Sequence, residues 1–254
     1  MASDLVLLPG LICDERLWRD VIVGLDARSI VADLTQDDSI AAMAARTLAA
    51  APAQFALAGL SMGGYVALEI MRQAPERVTH LALLDTSARA DDEARRETRR
   101  KGIEMVGQGK FIGVSRGLLA SLIAPQHLGT EVAREVQAMS ERVGQAAYLR
   151  QQVAIMNRVD SRPGLAAIRV PVLVGVGESD KLTPPELAEE MAAGIAGAEL
   201  VRFPDSAHLP TMENPGAVVE AMRAWHYLRV IRFTCPIFRP ARRRRRGYAA
   251  RTGR

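Results

Sequence analysis

Phe55-Ala56-Leu57-Ala58-Gly59-Leu60-Ser61-Met62-Gly63-Gly64-Tyr65-Val66-Ala67-Leu68-Glu69-Ile70-Met71 joins an apolar run to a helix-forming run through a Gly-x-Ser-x-Gly turn. Strand, tight turn and helix in that order make the nucleophile-elbow pattern. Such a turn holds its serine in a strained backbone conformation that lifts Oγ clear of the sheet. Gly59 and Gly63 let strand and helix approach without a Cβ clash. The helix that follows aims its first amides at the same spot, where negative charge would develop. Ser61 is therefore the candidate nucleophile.

A serine hydroxyl needs a base and a group that orients the base. Of the four histidines, His80 opens an apolar strand, His127 follows Ala124-Pro125-Gln126 in a helical region, and His226 closes the helical stretch from Val218 to Trp225. His208 differs. It lies in the turn-rich Phe203-Pro204-Asp205-Ser206-Ala207-His208-Leu209-Pro210, just past the strand Glu199–Phe203, where a base can hang over the sheet edge. The acid is expected between serine and histidine in chain order. Asp180, in the turn Gly177-Glu178-Ser179-Asp180-Lys181 after the apolar Pro171–Val176, ranks first. Asp85, at the end of Leu81–Leu84, ranks second, and Glu178 third.

A tetrahedral intermediate also needs two aimed donors. The elbow supplies the N–H of Met62; the loop Pro9-Gly10-Leu11 after Leu5–Leu8 offers the N–H of Leu11. Leu5 to Trp18, Gly59 to Gly64, Gly177 to Asp180 with Pro184-Pro185, and Ser206-Ala207-His208 with Glu213-Asn214-Pro215 together resemble the α/β-hydrolase superfamily over about residues 4–226. The similarity is strongest to its small, cofactor-free carboxylesterases and lactonases. It implies a triad of Ser61, Asp180 and His208. Many relatives carry His-Gly where this chain has Pro9-Gly10, and the antiparallel hairpin that often opens the fold is missing.

The expected fold is α/β, a mostly parallel sheet flanked by helices, with an inserted helical cap. Strand Ser29–Ala32, an Ala-rich helix over 40–50, and a helix opened by Thr183-Pro184-Pro185-Glu186 as a capping box continue the strand–helix alternation. Residues 1–87 and 166–227 read as the core. Over 88–165 the alternation stops in favour of helices carrying Leu118, Leu119, Leu122, Ile123, Met139, Val143 and Met156. That insertion is expected to roof the strand ends with apolar side chains, with no charged clamp for substrate.

The net charge of +4 misleads about the body. Ten of the 33 basic residues lie in 228–254, which has no acid, leaving 23 basic against 29 acidic elsewhere and a net of −6. The Arg-rich 228–254, with its run Arg242–Arg246, reads as a disordered extension, and nucleic acid is not expected among the partners. No uncharged apolar run reaches the roughly 18 residues of a membrane span, and no secretory signal opens the chain. Cys13 and Cys235 lack metal-ligand spacing, which points to free thiols, no metal and a cytoplasmic setting.

These readings converge on a cofactor-free serine esterase taking small-molecule esters: short to medium aliphatic acyl esters, lactones or polyester oligomers. Ser-Met-Gly-Gly also resembles cofactor-free haloperoxidases acting as perhydrolases, and proline-iminopeptidase-like amidases share the triad. A non-catalytic binding protein of the same fold is the alternative outside enzymology.

Overall fold

The computed structural model describes residues 4–109 and 111–234, with side chains as far as residue 226. Six strands form one sheet: β1 (Leu5–Leu8), β2 (Ser29–Val31), β3 (Phe55–Leu60), β4 (Val78–Leu84), β5 (Val172–Gly177) and β6 (Glu199–Phe203). Their order is β2-β1-β3-β4-β5-β6, and every pairing is parallel.

Both faces of the sheet are covered, so its central strands are continuous apolar runs. The alternation of strand side chains divides the core in two. Val6, Leu8, Leu57, Leu83 and Val174 pack with Met43, Val66, Ile70 and Met191 on one face. Those partners come from α2 (Ile40–Ala50), α3 (Met62–Gln73) and α8 (Pro185–Gly194). Leu5, Leu7, Ala58, Leu84 and Leu173 meet Val21, Val218, Met222 and Trp225 on the other face. Those come from α1 (Arg19–Leu25) and α10 (Pro215–Thr234).

Between β4 and β5 no strand interrupts the described residues. The segment holds α4 (Glu93–Gly107), α5 (Arg116–Leu122), α6 (Glu131–Met156) and α7 (Arg162–Leu165). α6 kinks at Gly144, whose φ of 75° and ψ of 175° lie outside helical geometry. A short α9 (Pro210–Glu213) follows β6.

The order reverses at β1, which is flanked by β2 on one side and β3 on the other. In open α/β sheets the loops leaving such a point diverge and open a crevice at the strands' carboxyl ends. Register brings the remaining ends level: Leu8 is opposite Gly59, Leu60 opposite Leu84, Leu84 opposite Gly175 and Gly177 opposite Phe203. One sheet edge thus receives the loops carrying Leu11, Ser61, Asp85, Asp180 and His208.

Two local readings change. Thr183 does not cap α8: Pro184 holds the cap position without a side-chain bond. The Thr183 hydroxyl is spent on Asp180 instead, at 2.7 Å. The last helix does not stop near Trp225 but runs to Thr234, since no glycine or proline interrupts the chain before Pro236. His226 accordingly sits inside α10, its ring 5.7 Å from that of His80, and does not close the helix. Of the Arg-rich segment, residues 235–254 lie outside the described residues.

Candidate active site

Ser61 stands between β3 and α3 with φ 55° and ψ −115°, a conformation L-residues rarely adopt. Its N–H donates to Leu84 O at 3.0 Å, and its carbonyl accepts from the Thr86 hydroxyl at 2.7 Å. These bonds fix the elbow from the neighbouring strand. The approach is as close as the motif demands: a Cβ on Gly59 would lie 2.3 Å from Gly63 O, and one on Gly63 would lie 2.1 Å from Leu8 O. Either substitution would force strand and helix apart.

His208 Nε2 lies 2.9 Å from Ser61 Oγ, and His208 Nδ1 lies 2.8 Å from Asp180 Oδ2. A carboxylate only accepts, so Nδ1 carries the proton and Nε2 presents its lone pair to the serine hydroxyl. The other acceptor sites of Asp180 are filled: Oδ1 accepts from the N–H of Leu182 at 2.8 Å and of Thr183 at 3.1 Å. Burial disfavours the Asp180 anion. The charge and hydrogen bond of His208, with those from Thr183, outweigh it and hold the pKa below the ordinary aspartate value.

The histidine loop has its own support. Glu213 Oε1 accepts from the N–H of Ala207 and Leu209, both at 3.0 Å, and its Oε2 accepts from Ala124 N at 2.6 Å. His208 N donates to Leu122 O at 3.0 Å, so the end of α5 also holds the loop. Neither Thr183 nor Glu213 stood out as a site residue in the sequence. The signal for Glu213 was its place in α9, five residues after His208, which a buried carboxylate serving loop amides requires.

The two rival acids take other positions. Glu178 is exposed. Asp85 is fully buried and accepts from Gly177 N at 2.8 Å, with its other oxygen unpartnered in the structure. Burial, and then the Asp180 carboxylate nearby, push the Asp85 pKa well above the ordinary aspartate value. Asp85 therefore sits behind Asp180 in surroundings that favour its neutral form. Among the described residues, Asp85, Asp180 and His208 are the one group whose ligand atoms, all within 4.8 Å, are close enough to share a cation. The Nδ1 proton aimed at Asp180 leaves that nitrogen no lone pair for a metal.

Met62 opens α3, so its N–H is among the amides that the helix itself leaves unpaired. Leu11 lies in the loop after β1, and the neighbouring Gly10 runs beside Ser61: a Cβ there would be 3.5 Å from that of Ser61. Leu11, Ser61 and His208 line one cavity of about 790 Å³. Cys13 lines it too, but burial and the Asp14 charge push its thiol up to about 12, so it stays protonated.

The cavity has two unlike walls. Leu118, Leu122, Val136 and Met139 of α5 and α6 form an apolar one. Arg95, Arg99 and Lys101 of α4, with Lys181 beside Asp180, form a cationic one that the sequence did not show. Arg99 is paired with Asp91, and Lys101 lies 3.7 Å from Glu97. Among the described residues, Arg95 bonds to Leu182 O, at 3.4 Å. This wall escaped notice because Arg95, Arg99 and Lys101 read as part of a solvated helix, and Lys181 lies eighty residues beyond them in the chain.

A model of the alpha/beta hydrolase family matches residues 5–221. The chain is 28% identical over 229 residues to the pimeloyl-acyl-carrier-protein methyl ester esterase of Edwardsiella ictaluri, covering 84% of this chain and 88% of that one. It is equally similar, 28% over 209 residues and 78% of each chain, to BpoC of Mycobacterium tuberculosis, provisionally named a non-heme bromoperoxidase. Among solved structures, a thermophilic esterase from Thermogutta terrifontis superposes with a TM-score of 0.83 at 30% identity, with 91% of each chain covered.

Proposed function

Because the chain belongs to the alpha/beta hydrolase family, we propose that it is a serine hydrolase of carboxylic esters, with Ser61, His208 and Asp180 as its triad. The observation that carries this reading is the unbroken hydrogen-bonded line from Ser61 Oγ through the imidazole to Asp180, at 2.9 and 2.8 Å. In the reaction, Ser61 attacks the ester carbonyl while His208 Nε2 takes its proton. Asp180 holds the imidazole in the required tautomer and stabilises the imidazolium. The amides of Met62 and Leu11 bind the oxyanion. His208 then protonates the departing alcohol and activates the water that releases the acid. No step requires a metal or organic cofactor.

The helices inserted over 88–165 act as a cap that excludes water and selects the acyl group. The apolar wall suits short to medium aliphatic acyl chains, lactones and polyester oligomers, and the cationic wall favours substrates that also carry an anionic group. The similarity to BpoC supports a second reading, in which peroxide replaces water in deacylation and a peracid is released. A fluorophosphonate probe tests the nucleophile: it labels the protein, and Ser61→Ala abolishes labelling and lowers ester kcat by on the order of 10⁶. Retention of more than a few per cent of activity would remove the covalent mechanism. p-Nitrophenyl esters run beside aminoacyl anilides separate esterase from amidase, and peroxide competition separates hydrolase from perhydrolase.

A further inference from the structure

The loop that carries the Leu11 amide is not held in shape by its own sequence. Its internal bonds are weak: a turn from Cys13 N to Gly10 O at 3.2 Å, and the Cys13 thiol to Leu11 O at 3.4 Å. At its centre Ile12 has a φ of 50°. For a β-branched residue that left-handed conformation is strained and persists only where the surroundings impose it.

What imposes it comes from α6. The Ile12 N–H donates to Gln151 Oε1 at 3.0 Å, and Gln151 Nε2 donates to Leu34 O at 3.1 Å, past the end of β2. Gln151 is fully buried. Its amide orientation is fixed by these partners, because a flip would set N–H against N–H and oxygen against oxygen. Two further links join the same loop to the same helix. Asp14 accepts from Arg142 Nε and Nη2 at 2.6 and 3.2 Å, and Arg16 Nε donates to Glu135 Oε2 at 3.0 Å.

The geometry points to Gln151 as a positioning residue for the oxyanion site. By gripping Ile12 N–H it keeps the loop wound so that the preceding amide, Leu11 N–H, faces Ser61, and it makes that donor depend on the seating of α6. The bonds to Asp14 and Glu135 are partly exposed and serve the seating; the buried amide sets the conformation. A helix of the inserted segment therefore does more than roof the cavity. It completes the transition-state site from 139 residues away in the chain.

This inference rests on the serine-esterase reading, whose own test is labelling of Ser61 in the wild-type protein. Gln151→Met keeps the length and burial of the side chain but removes both hydrogen bonds. Because an oxyanion donor is worth 10²–10³ in rate, and a small displacement about 10², ester kcat is expected to fall by about 10². KM should stay within about threefold. Affinity for a trifluoromethyl ketone, whose hydrated or serine-bound form presents the oxyanion, should fall by the same factor as kcat. Gln151→Glu, which keeps an acceptor for Ile12 N–H and loses the donor to Leu34, should show a smaller loss of the same pattern. It carries the test if Gln151→Met fails to fold. An unchanged kcat in a folded variant overturns the proposal. So does a rise in KM with ketone affinity untouched, which would make Gln151 a wall of the substrate cavity and nothing more.

Discussion

Asp85 and Asp180 are both buried aspartates at adjacent strand ends, and their environments drive them to opposite states. Asp180 faces the imidazole, two amides and a hydroxyl, all of which favour its anion. Asp85 faces one amide and the Asp180 charge, which favours its neutral form. Asp180→Asn is expected to cut kcat by about 10⁴ through loss of the correct tautomer, whereas Asp85→Asn should cost less than tenfold. The reverse order, measured on one ester, would place the acid on β4. Stability carries a second signature. Below the ordinary aspartate pKa of 3.8, Asp85 is protonated in both states. As pH rises past it, the unfolded chain ionises while the folded one keeps its proton, so this group's contribution is lost as pH climbs toward the folded pKa. Asparagine mimics the neutral acid without that dependence. The melting temperature of Asp85→Asn should therefore gain on wild type as pH rises above the ordinary aspartate value of 3.8, and a constant or shrinking difference would mean that Asp85 folds as an anion. The candidate serine, acid and histidine could be picked out because each follows a strand in the order the architecture uses. Gln151 was not, since nothing local marks a glutamine on a long helix as the partner of an amide near the chain's start.

Elements were easiest to read where a strong local pattern agreed with the tertiary fold. The apolar runs of β1, β3, β4 and β5 and the Ala-rich α2 met that condition. The start of α8 did not, because Thr183 satisfies every local rule for a cap yet is claimed by Asp180. α4 shows a similar limit. Its Arg- and Glu-rich sequence reads as a solvated helix, and only the fold reveals that Arg95 and Lys101 turn toward the cavity along with Lys181. Lys101 has Glu97 near, so Arg95 and Lys181 are the cations with most to give a ligand. Exposed ion pairs contribute about 0.2–1 kcal/mol each. An acyl ester ending in a carboxylate should thus show a KM about three- to tenfold below that of its neutral isostere at low salt. Added salt should shrink the difference, and joint Arg95→Gln and Lys181→Gln substitution should erase it. Equal KM values at low salt would leave the cationic wall without a part in substrate choice.

At the scale of the molecule, the alternation of strands and helices was enough to foresee a mostly parallel sheet with the inserted helices over its strand ends, because right-handed crossovers leave few other arrangements; the strand order and the reversal at β1 came from the fold. The limits of the final element were less legible, since the arginines at 223, 229 and 232 neither support nor forbid a helix. α10 reaches Thr234, and the segment beyond it holds eight of the ten C-terminal arginines. That distribution separates a body that, taken to Thr234, has 25 basic against 29 acidic residues and a net of −4 from a basic end. Residues 239–254 contain little apolar surface to offset the roughly 1–2 kcal/mol per residue that ordering costs. Deleting Arg239 to Arg254 should accordingly leave ester kcat/KM within about a factor of two, because the proposed triad, the proposed oxyanion loop and both cavity walls all lie before residue 210. The same deletion should abolish salt-sensitive retention on a polyanion such as heparin, which neutralisation by those arginines would provide. A fall of more than about tenfold in kcat/KM, or a clear drop in melting temperature, would mean instead that the basic end packs on the body. The charge of the body would then need to be read with the arginines included.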